Sequence, residues 1–317
     1  VAEPDPTFWT GKPVVVTGGA GFVGRVVVRH AEALGAEVRV IRSAQHDLRD
    51  AAAARDAVDG AEIVIHLAAN VGGIGYNHRN PAPLVFDNMA ITSNVFEQSR
   101  VAGVGKLVAA CTVCAYPKFV DAPFREADLW DGYPEETNAP YGLAKKMMLV
   151  LSDAYRRQYG FDSCAPIVAN LYGPDDNFDL EDSHVIAAMI RKYVAAHDAG
   201  EDTVTLWGTG QPSREFLYVD DAARALLLAA EHLDTSEPVN IGLGLETRIR
   251  DLAATIARLV GFEGETVWDS SRPDGQPRRF LDVTRARELI GFEAKVALEE
   301  GLEQTIASFR EHVSERA

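Results

Sequence analysis

Apolar positions along the chain follow two alternating rhythms in its first half. Val14-Val15-Val16-Thr17 is a β-branched run that predicts a buried strand, and a helical pattern from Val26 to Leu34, stopped by Gly35, comes after it. Val38–Ile41, Ile63–Ala69, Lys106–Cys111 and Cys164–Ala169 predict further strands. Asn88–Val101 predicts a long helix. So does the segment after Pro140, where Leu143, Met147, Leu151 and Ala154 recur at helical spacing. Strands that alternate with helices require crossovers and therefore parallel pairing, the doubly wound α/β plan. Past Pro174 the rhythm breaks. A polar loop, Asp175–Ser183, precedes a helix carrying Arg191 and Lys192. Strands are then expected at Val204–Gly208, at Arg214–Asp221 leading into a helix capped by Asp220, and at Val239–Gly242. Helices are expected at Leu252–Val260 and Leu298–His312, with a basic loop at Pro273–Arg279 and a loose arm at Val1–Thr10.

The junction between the first strand and first helix carries Gly18-Gly19-Ala20-Gly21-Phe22-Val23-Gly24. Glycines there permit a tight turn, and the helix start offers free N–H groups to a pyrophosphate. This predicts a Rossmann-type dinucleotide site. The second strand ends in Arg42-Ser43 with no acidic residue to hold a ribose 2′-hydroxyl, and Arg42 could pair with a 2′-phosphate, which favours NADP(H) over NAD(H). Asp47 and Leu48 are placed to touch adenine. Ala68 and Ala69 end the third strand where a cofactor could lie, and His66 within that strand is expected to be a packed, hydrogen-bonded histidine. The predicted organisation is a dinucleotide-binding domain over residues 1–173, receiving roughly 215–245, and a smaller C-terminal α/β substrate-binding domain over 174–214 and 246–317.

Composition narrows the partners. The 317 residues are 47% hydrophobic and 25% charged, with a formal charge of -16, which disfavours nucleic acid and anionic membrane as partners. Any anionic ligand must be gathered by a local basic patch. The three cysteines, Cys111, Cys114 and Cys164, are too few for a disulfide framework and point to a reducing, cytoplasmic setting. No signal peptide or membrane span is expected. Cys111 and Cys114 form a CxxC, but no second CxxC or matching His pair accompanies it, so no metal centre is expected, and a strand would hold the pair extended.

Tyr141 and Lys145 lie four residues apart on a predicted helix and so share one face. An ammonium about 4 Å from a phenol, in an effective dielectric of about 20, favours the phenolate by roughly 4 kcal/mol, enough to bring a tyrosine from a pKa of about 10 toward 7. Such a tyrosine can exchange protons with a substrate carbonyl.

The Thr-Gly-x-x-Gly-x-x-Gly turn at Thr17–Gly24, Thr112 at a strand end, and the Tyr141–Lys145 pair resemble the extended short-chain dehydrogenase/reductases. Within that family, the GDP-L-fucose synthases are similar in Cys114-Ala115-Tyr116-Pro117-Lys118, Asn170-Leu171-Tyr172-Gly173-Pro174, Asp176-Asn177, Ser183-His184-Val185-Ile186, Trp207-Gly208, Arg214-Glu215-Phe216 and Pro273-Asp274-Gly275. The resemblance implies an NADPH-dependent 3,5-epimerase/4-reductase of a GDP-4-keto-6-deoxy-hexose. It assigns Cys114 and His184 to epimerisation, Thr112 and Tyr141 to the carbonyl oxygen, and Lys145 to the nicotinamide ribose. Asn170 and Leu171 would border the cofactor; Asn170, Lys192, Trp207, Arg214 and Asp274 would bind the nucleotide sugar. A Cys114 thiolate needs a positive neighbour, for which His184 and Lys145 are candidates. A homodimer is implied, paired through the helices from Asn88 and Tyr141. Two departures stand out: Thr112 replaces the usual serine, and the glycine turn follows the general epimerase/dehydratase form. Another nucleotide-sugar epimerase, reductase or dehydratase using bound NAD(P) is the alternative, although Val113 stands where a dehydratase carries an acid. A non-catalytic cofactor-binding sensor is the other.

Overall fold

A computed structural model describes residues 1–179, 183–272 and 274–314. Leu180, Glu181 and Asp182 of the expected polar loop, and Pro273 of the Pro-Asp-Gly motif, lie outside the described residues.

The main sheet is parallel. Its strands are β1 (Pro13–Thr17), β2 (Glu37–Ile41), β3 (Ile63–His66), β4 (Lys106–Ala109), β5 (Cys111–Thr112), β6 (Ser163–Cys164) and β7 (Ile167–Val168). The order is β2-β1-β3-β4-β6, extended by β5 and β7, which carry on the lines of β4 and β6. The strand order reverses at β1: β2 lies on one side of it and β3 on the other, both parallel to it. Ligands of such sheets sit beyond the carboxyl ends at that switch point, where Gly18 and Ala68 meet. The predicted fourth and fifth strands are each interrupted. Ala110, which separates β4 from β5, still donates to the His66 carbonyl, while its own carbonyl accepts a side-chain bond described below.

The second half adds β8 (Asn170–Tyr172), β9 (Thr203–Trp207), β10 (Ser213–Arg214), β11 (Phe216–Tyr218), β12 (Asn240–Ile241), β13 (Thr247–Arg248), β14 (Glu265–Asp269) and β15 (Arg278–Arg279). β12 closes the main sheet beside β7. β9 pairs in parallel with β14, and β10 lies between β13 and β15. Two apolar cores result. One is built on the main sheet and its helices. The other gathers Ile186, Tyr193, Leu206, Leu252, Ile256 and Leu302. The expected division put all of 246–317 in the second unit, but Leu281, Ala286, Ile290 and Phe292 pack in the first core. Asn240 Nδ2 donates to the Phe124 and Asp282 carbonyls and ties that return segment down.

Three local expectations are corrected. The N-terminal arm is docked: Pro6–Trp9 is a helical turn, Trp9 is fully buried, and its indole N–H donates to Glu231. The Val219–His232 helix is capped by Tyr218, while Asp220 sits in its first turn and binds Arg29 and His30. The basic loop ends as strand β15, held against β10. No helix among the described residues is long and apolar enough to cross a membrane.

Candidate active site

The glycine turn is shaped by contact. Gly18 has φ +69°, and a Cβ there would meet Ala68 N at 2.8 Å. A Cβ on Gly24 would lie 2.1 Å from the Gly18 carbonyl oxygen, so the Phe22–Ala33 helix seats directly on the turn. Gly21 caps this helix without a side-chain bond, which leaves the first-turn N–H groups of Phe22, Val23 and Gly24 aimed outward. Gly19 and Ala20 border a shallow cavity with Val40, Arg25, Arg29 and Arg42. Arg42 is exposed and has no ion pair among the described residues. Arg25, which sequence reading missed, donates to the Ala20 carbonyl at 2.9 Å. A glycine cradle, free N–H groups and an unpaired guanidinium fit a phosphorylated dinucleotide. Asp47 is engaged by Arg49 through a fork at 2.7 and 2.9 Å, which holds its carboxylate down at about 2. Leu48 is buried in the core, so its side chain is not offered to adenine.

Thr17 anchors the switch point. Its hydroxyl oxygen accepts from Leu67 N and Ala68 N, both at 3.2 Å, and contacts His66 Nδ1 at 2.7 Å. With both lone pairs engaged, the hydroxyl donates to His66 Nδ1. His66 is wholly buried, and burial, aided by Lys145, pushes it down to about 3. Ala69 follows at the rim, half-buried beside Ala68.

The candidate catalytic residues gather where the Ala139–Tyr159 helix crosses the end of β5. Pro140 opens that helix, and Gly142 admits it closely: a Cβ there would meet the Cys114 carbonyl oxygen at 2.3 Å. Lys145 is 3% exposed and donates from Nζ to the Ala110 carbonyl at 3.1 Å. Burial brings it down to about 8. The expected pull of Lys145 on the Tyr141 phenol is overturned. Burial dominates and pushes the phenol up, and the nearby Cys114 and Cys111 sulfurs act in the same direction. Tyr141 therefore stands as a protonated donor. Thr112 caps a 3-10 turn over Val113–Ala115, and its Oγ1 accepts from Cys114 N at 3.3 Å. The CxxC is thus not extended: Cys111 is in the strand, where its Sγ donates to the Lys145 carbonyl at 3.4 Å, and Cys114 is on the turn at the cleft.

Arg279 supplies the positive neighbour sought for Cys114. Its Nη1 is 3.8 Å from the Cys114 sulfur. Neither His184 nor Lys145 makes a bond to that sulfur among the described residues. His184 caps the Val185–Ala199 helix without a side-chain bond, and desolvation lowers its pKa. Sequence reading missed Arg279 and Gln276 because their partners lie more than 150 positions away.

The second unit brings long side chains to the same cleft. Arg214 donates to the carbonyls of Ser213, Gln276 and Asp274, at 2.7, 2.6 and 3.3 Å. Burial and the neighbouring Arg279 lower it to about 10. Asp274 accepts from Thr209 N and Oγ1, both at 2.7 Å, and so braces the turn after β9. Trp207 is 60% exposed with the Arg272 guanidinium 5.0 Å over its ring. Lys192 donates to the Thr205 carbonyl at 2.9 Å. Asn170 donates to the Glu215 carbonyl at 3.0 Å beside the half-buried Leu171.

This fold and cleft belong to a known class. Residues 14–242 match the NAD dependent epimerase/dehydratase family, and the chain belongs to that family. Its relatives include the probable GDP-L-fucose synthase 1 of Oryza sativa subsp. japonica, 40% identical over 318 residues that cover 98% of this chain and 97% of that protein. The GDP-L-fucose synthase of Escherichia coli strain K12 is 39% identical over 311 residues, covering 94% and 97%. Among solved structures, a GDP-L-fucose synthetase from Naegleria fowleri bound to NADP matches with TM-score 0.86 at 28% identity, covering 96% of each chain.

Proposed function

We propose that this protein is an NADPH-dependent 3,5-epimerase/4-reductase of a GDP-4-keto-6-deoxy-hexose. One observation carries the proposal: a half-buried cysteine on the turn capped by Thr112, packed under the helix that bears Tyr141 and Lys145. A plain reductase needs no such sulfur, whereas an epimerase needs a base close to the carbonyl it enolises. The relatives named above support the sugar assignment.

When bound, NADPH supplies a hydride to the sugar ketone. The glycine turn would hold its pyrophosphate, Arg42 and Arg25 its 2′-phosphate, and Lys145 its ribose. Cys114 takes a proton from the carbon next to the ketone, and His184 returns one from the other face. Tyr141 donates a hydrogen bond to the oxygen that gains charge in both steps, seconded by Thr112, so one site serves epimerisation and reduction. A phenol held protonated by burial suits that donor role. Lys192 and Arg214 meet the diphosphate, and Trp207 and Asp274 border the nucleotide end.

The protein acts as a homodimer in a reducing, cytoplasmic compartment. Phe86, Met89, Met147 and Val150 support this pairing: they are exposed apolar residues on two helices that pack together. The three thiols are unpaired.

The test is incubation with GDP-4-keto-6-deoxymannose and NADPH in deuterated water. Stoichiometric NADPH oxidation and deuterium at carbons 3 and 5 are expected. Exchange without NADPH consumption would leave an epimerase, and no turnover of any keto sugar would leave a cofactor-binding protein of another kind.

A further inference from the structure

We propose that Arg279 is the cation that partners the Cys114 sulfur as a thiolate, and that Gln276 holds it in place. The proposal rests on the assignment of Cys114 as base and concerns what makes that base available.

The geometry is a chain of four groups. Arg279 Nη1 reaches Cys114 Sγ at 3.8 Å, within the range of an N–H to sulfur bond, and its Nε donates to Gln276 Oε1 at 2.8 Å. Gln276 Nε2 in turn donates to the Lys118 carbonyl at 2.7 Å, on the same loop that carries Cys114. Both Arg279 and Gln276 are more than nine-tenths buried. The guanidinium is therefore clamped from the side opposite the sulfur.

Charge accounting singles out the sulfur. Among the described residues, neither Arg279 nor Arg214 has a carboxylate within ion-pair distance, although they sit side by side on paired strands. Arg278, one residue earlier and pointing to the other face, is paired with Glu246. The nearest acid, Asp274, is committed to Thr209. Two buried like charges with no counter-charge are costly unless an anion joins them. The diphosphate of a nucleotide sugar answers to Arg214, whose three bonds all go to carbonyls near Asp274. A thiolate answers to Arg279. Tyr141 and Cys111, which also face Cys114, are neutral there, because burial pushes both up, Cys111 to about 11; Arg214 is a second cation near the sulfur but makes no bond to it among the described residues.

In the reaction the thiolate takes the proton from the carbon beside the ketone. An S–H bond forms, the C–H pair moves into the enolate, and Arg279 then faces a neutral thiol. A free cysteine is only a few per cent thiolate at neutral pH, so loss of the partner lowers the reactive fraction by about tenfold.

The experiment measures alkylation of Cys114 by iodoacetamide at pH 7, in the full chain, by peptide mass spectrometry. Cys111 and Cys164 are buried and internally silent references. Arg279→Met is expected to slow Cys114 labelling about tenfold, with Arg279→Lys restoring most of it. Deuterium exchange into the sugar should fall in kcat by a similar factor, with KM within about threefold. Unchanged labelling in Arg279→Met overturns the proposal. So does a rise in KM with normal labelling, which would assign Arg279 to the diphosphate instead. If Arg279→Met does not fold, Arg279→Gln and Gln276→Leu are judged by the same labelling rate. Labelling needs no sugar chemistry, so slowed labelling in a protein that turns over no keto sugar keeps the Arg279–Cys114 partnership and removes only the assigned reaction.

Discussion

The two halves of the candidate site offer a ligand different physics. On the main-sheet side the candidate cradle is made of backbone: a positive-φ glycine, a helix seated on a turn, and N–H groups with no intrahelical partner. On the side of the second core stand long side chains: Arg214 and Lys192, bent back to backbone carbonyls, and Arg279, bonded to the Gln276 amide oxygen and the Cys114 sulfur. Shape tolerates almost no change, because an added atom collides at once. Charge is graded, because one cation can be weakened without moving the rest. The groups proposed to react sit between the two, on the turn of Cys114 and the helix of Tyr141.

The harshest way to test that contrast is Gly24→Val. Its Cβ would meet the Gly18 oxygen at 2.1 Å, and neither backbone can yield without opening the turn. We expect loss of NADPH binding with destabilisation of about 3 kcal/mol or more, read by titration and denaturant melts. A variant that binds NADPH normally would show that the turn is not the cofactor's seat.

Tyr141→Phe removes one oxygen and little shape. Reduction should fall by about 10²–10⁴ with NADPH affinity unchanged within about threefold, measured by single-turnover kinetics. Normal turnover would remove Tyr141 from the chemistry and leave it a packing residue.

Glu215 tests how the two halves are joined. It is buried on β10–β11 and accepts from Gly244 N at 2.6 Å and Leu281 N at 2.8 Å. Burial raises it from 4.5 to about 7. The folded state thus holds a proton that the unfolded chain releases, so this group's stabilisation is complete below pH 4.5 and is lost as pH rises through about 7. The shift corresponds to about 3 kcal/mol. Denaturant midpoints should decline between pH 5 and 8, and Glu215→Gln should flatten that decline. An equal slope in both proteins would assign the pH dependence to other groups, such as Asp176, which burial also raises to about 7.

The mildest change is Arg42→Ala, at an exposed charge. NADPH affinity should drop about tenfold and NADH affinity hardly at all. Equal losses would mean that the 2′-phosphate is met elsewhere, with Arg25 the next candidate.

Much of this was legible without coordinates where the signal is local. Strand, glycine turn and helix follow one another over some twenty positions, and Tyr141 and Lys145 share a helix face by spacing alone. The errors have a common cause. Spacing suggested that Lys145 would ionise Tyr141, but burial pushes the phenol the other way and Lys145 turns to Ala110. The cap expected at Asp220 is spent on Arg29 and His30, nearly two hundred positions earlier. The arm expected to be loose is pinned by Trp9 against Glu231.

Residue order by itself determined the parallel α/β plan, the glycine cradle and the identity of the groups able to do acid–base work, because each depends on neighbours within a few turns of chain. Tertiary structure decided which of those groups are dry, which cations lack counter-charges, and that Arg279 meets Cys114 across 165 positions. Desolvation and pairing are properties of enclosed space, and no local stretch of sequence encloses the space in which these charges sit.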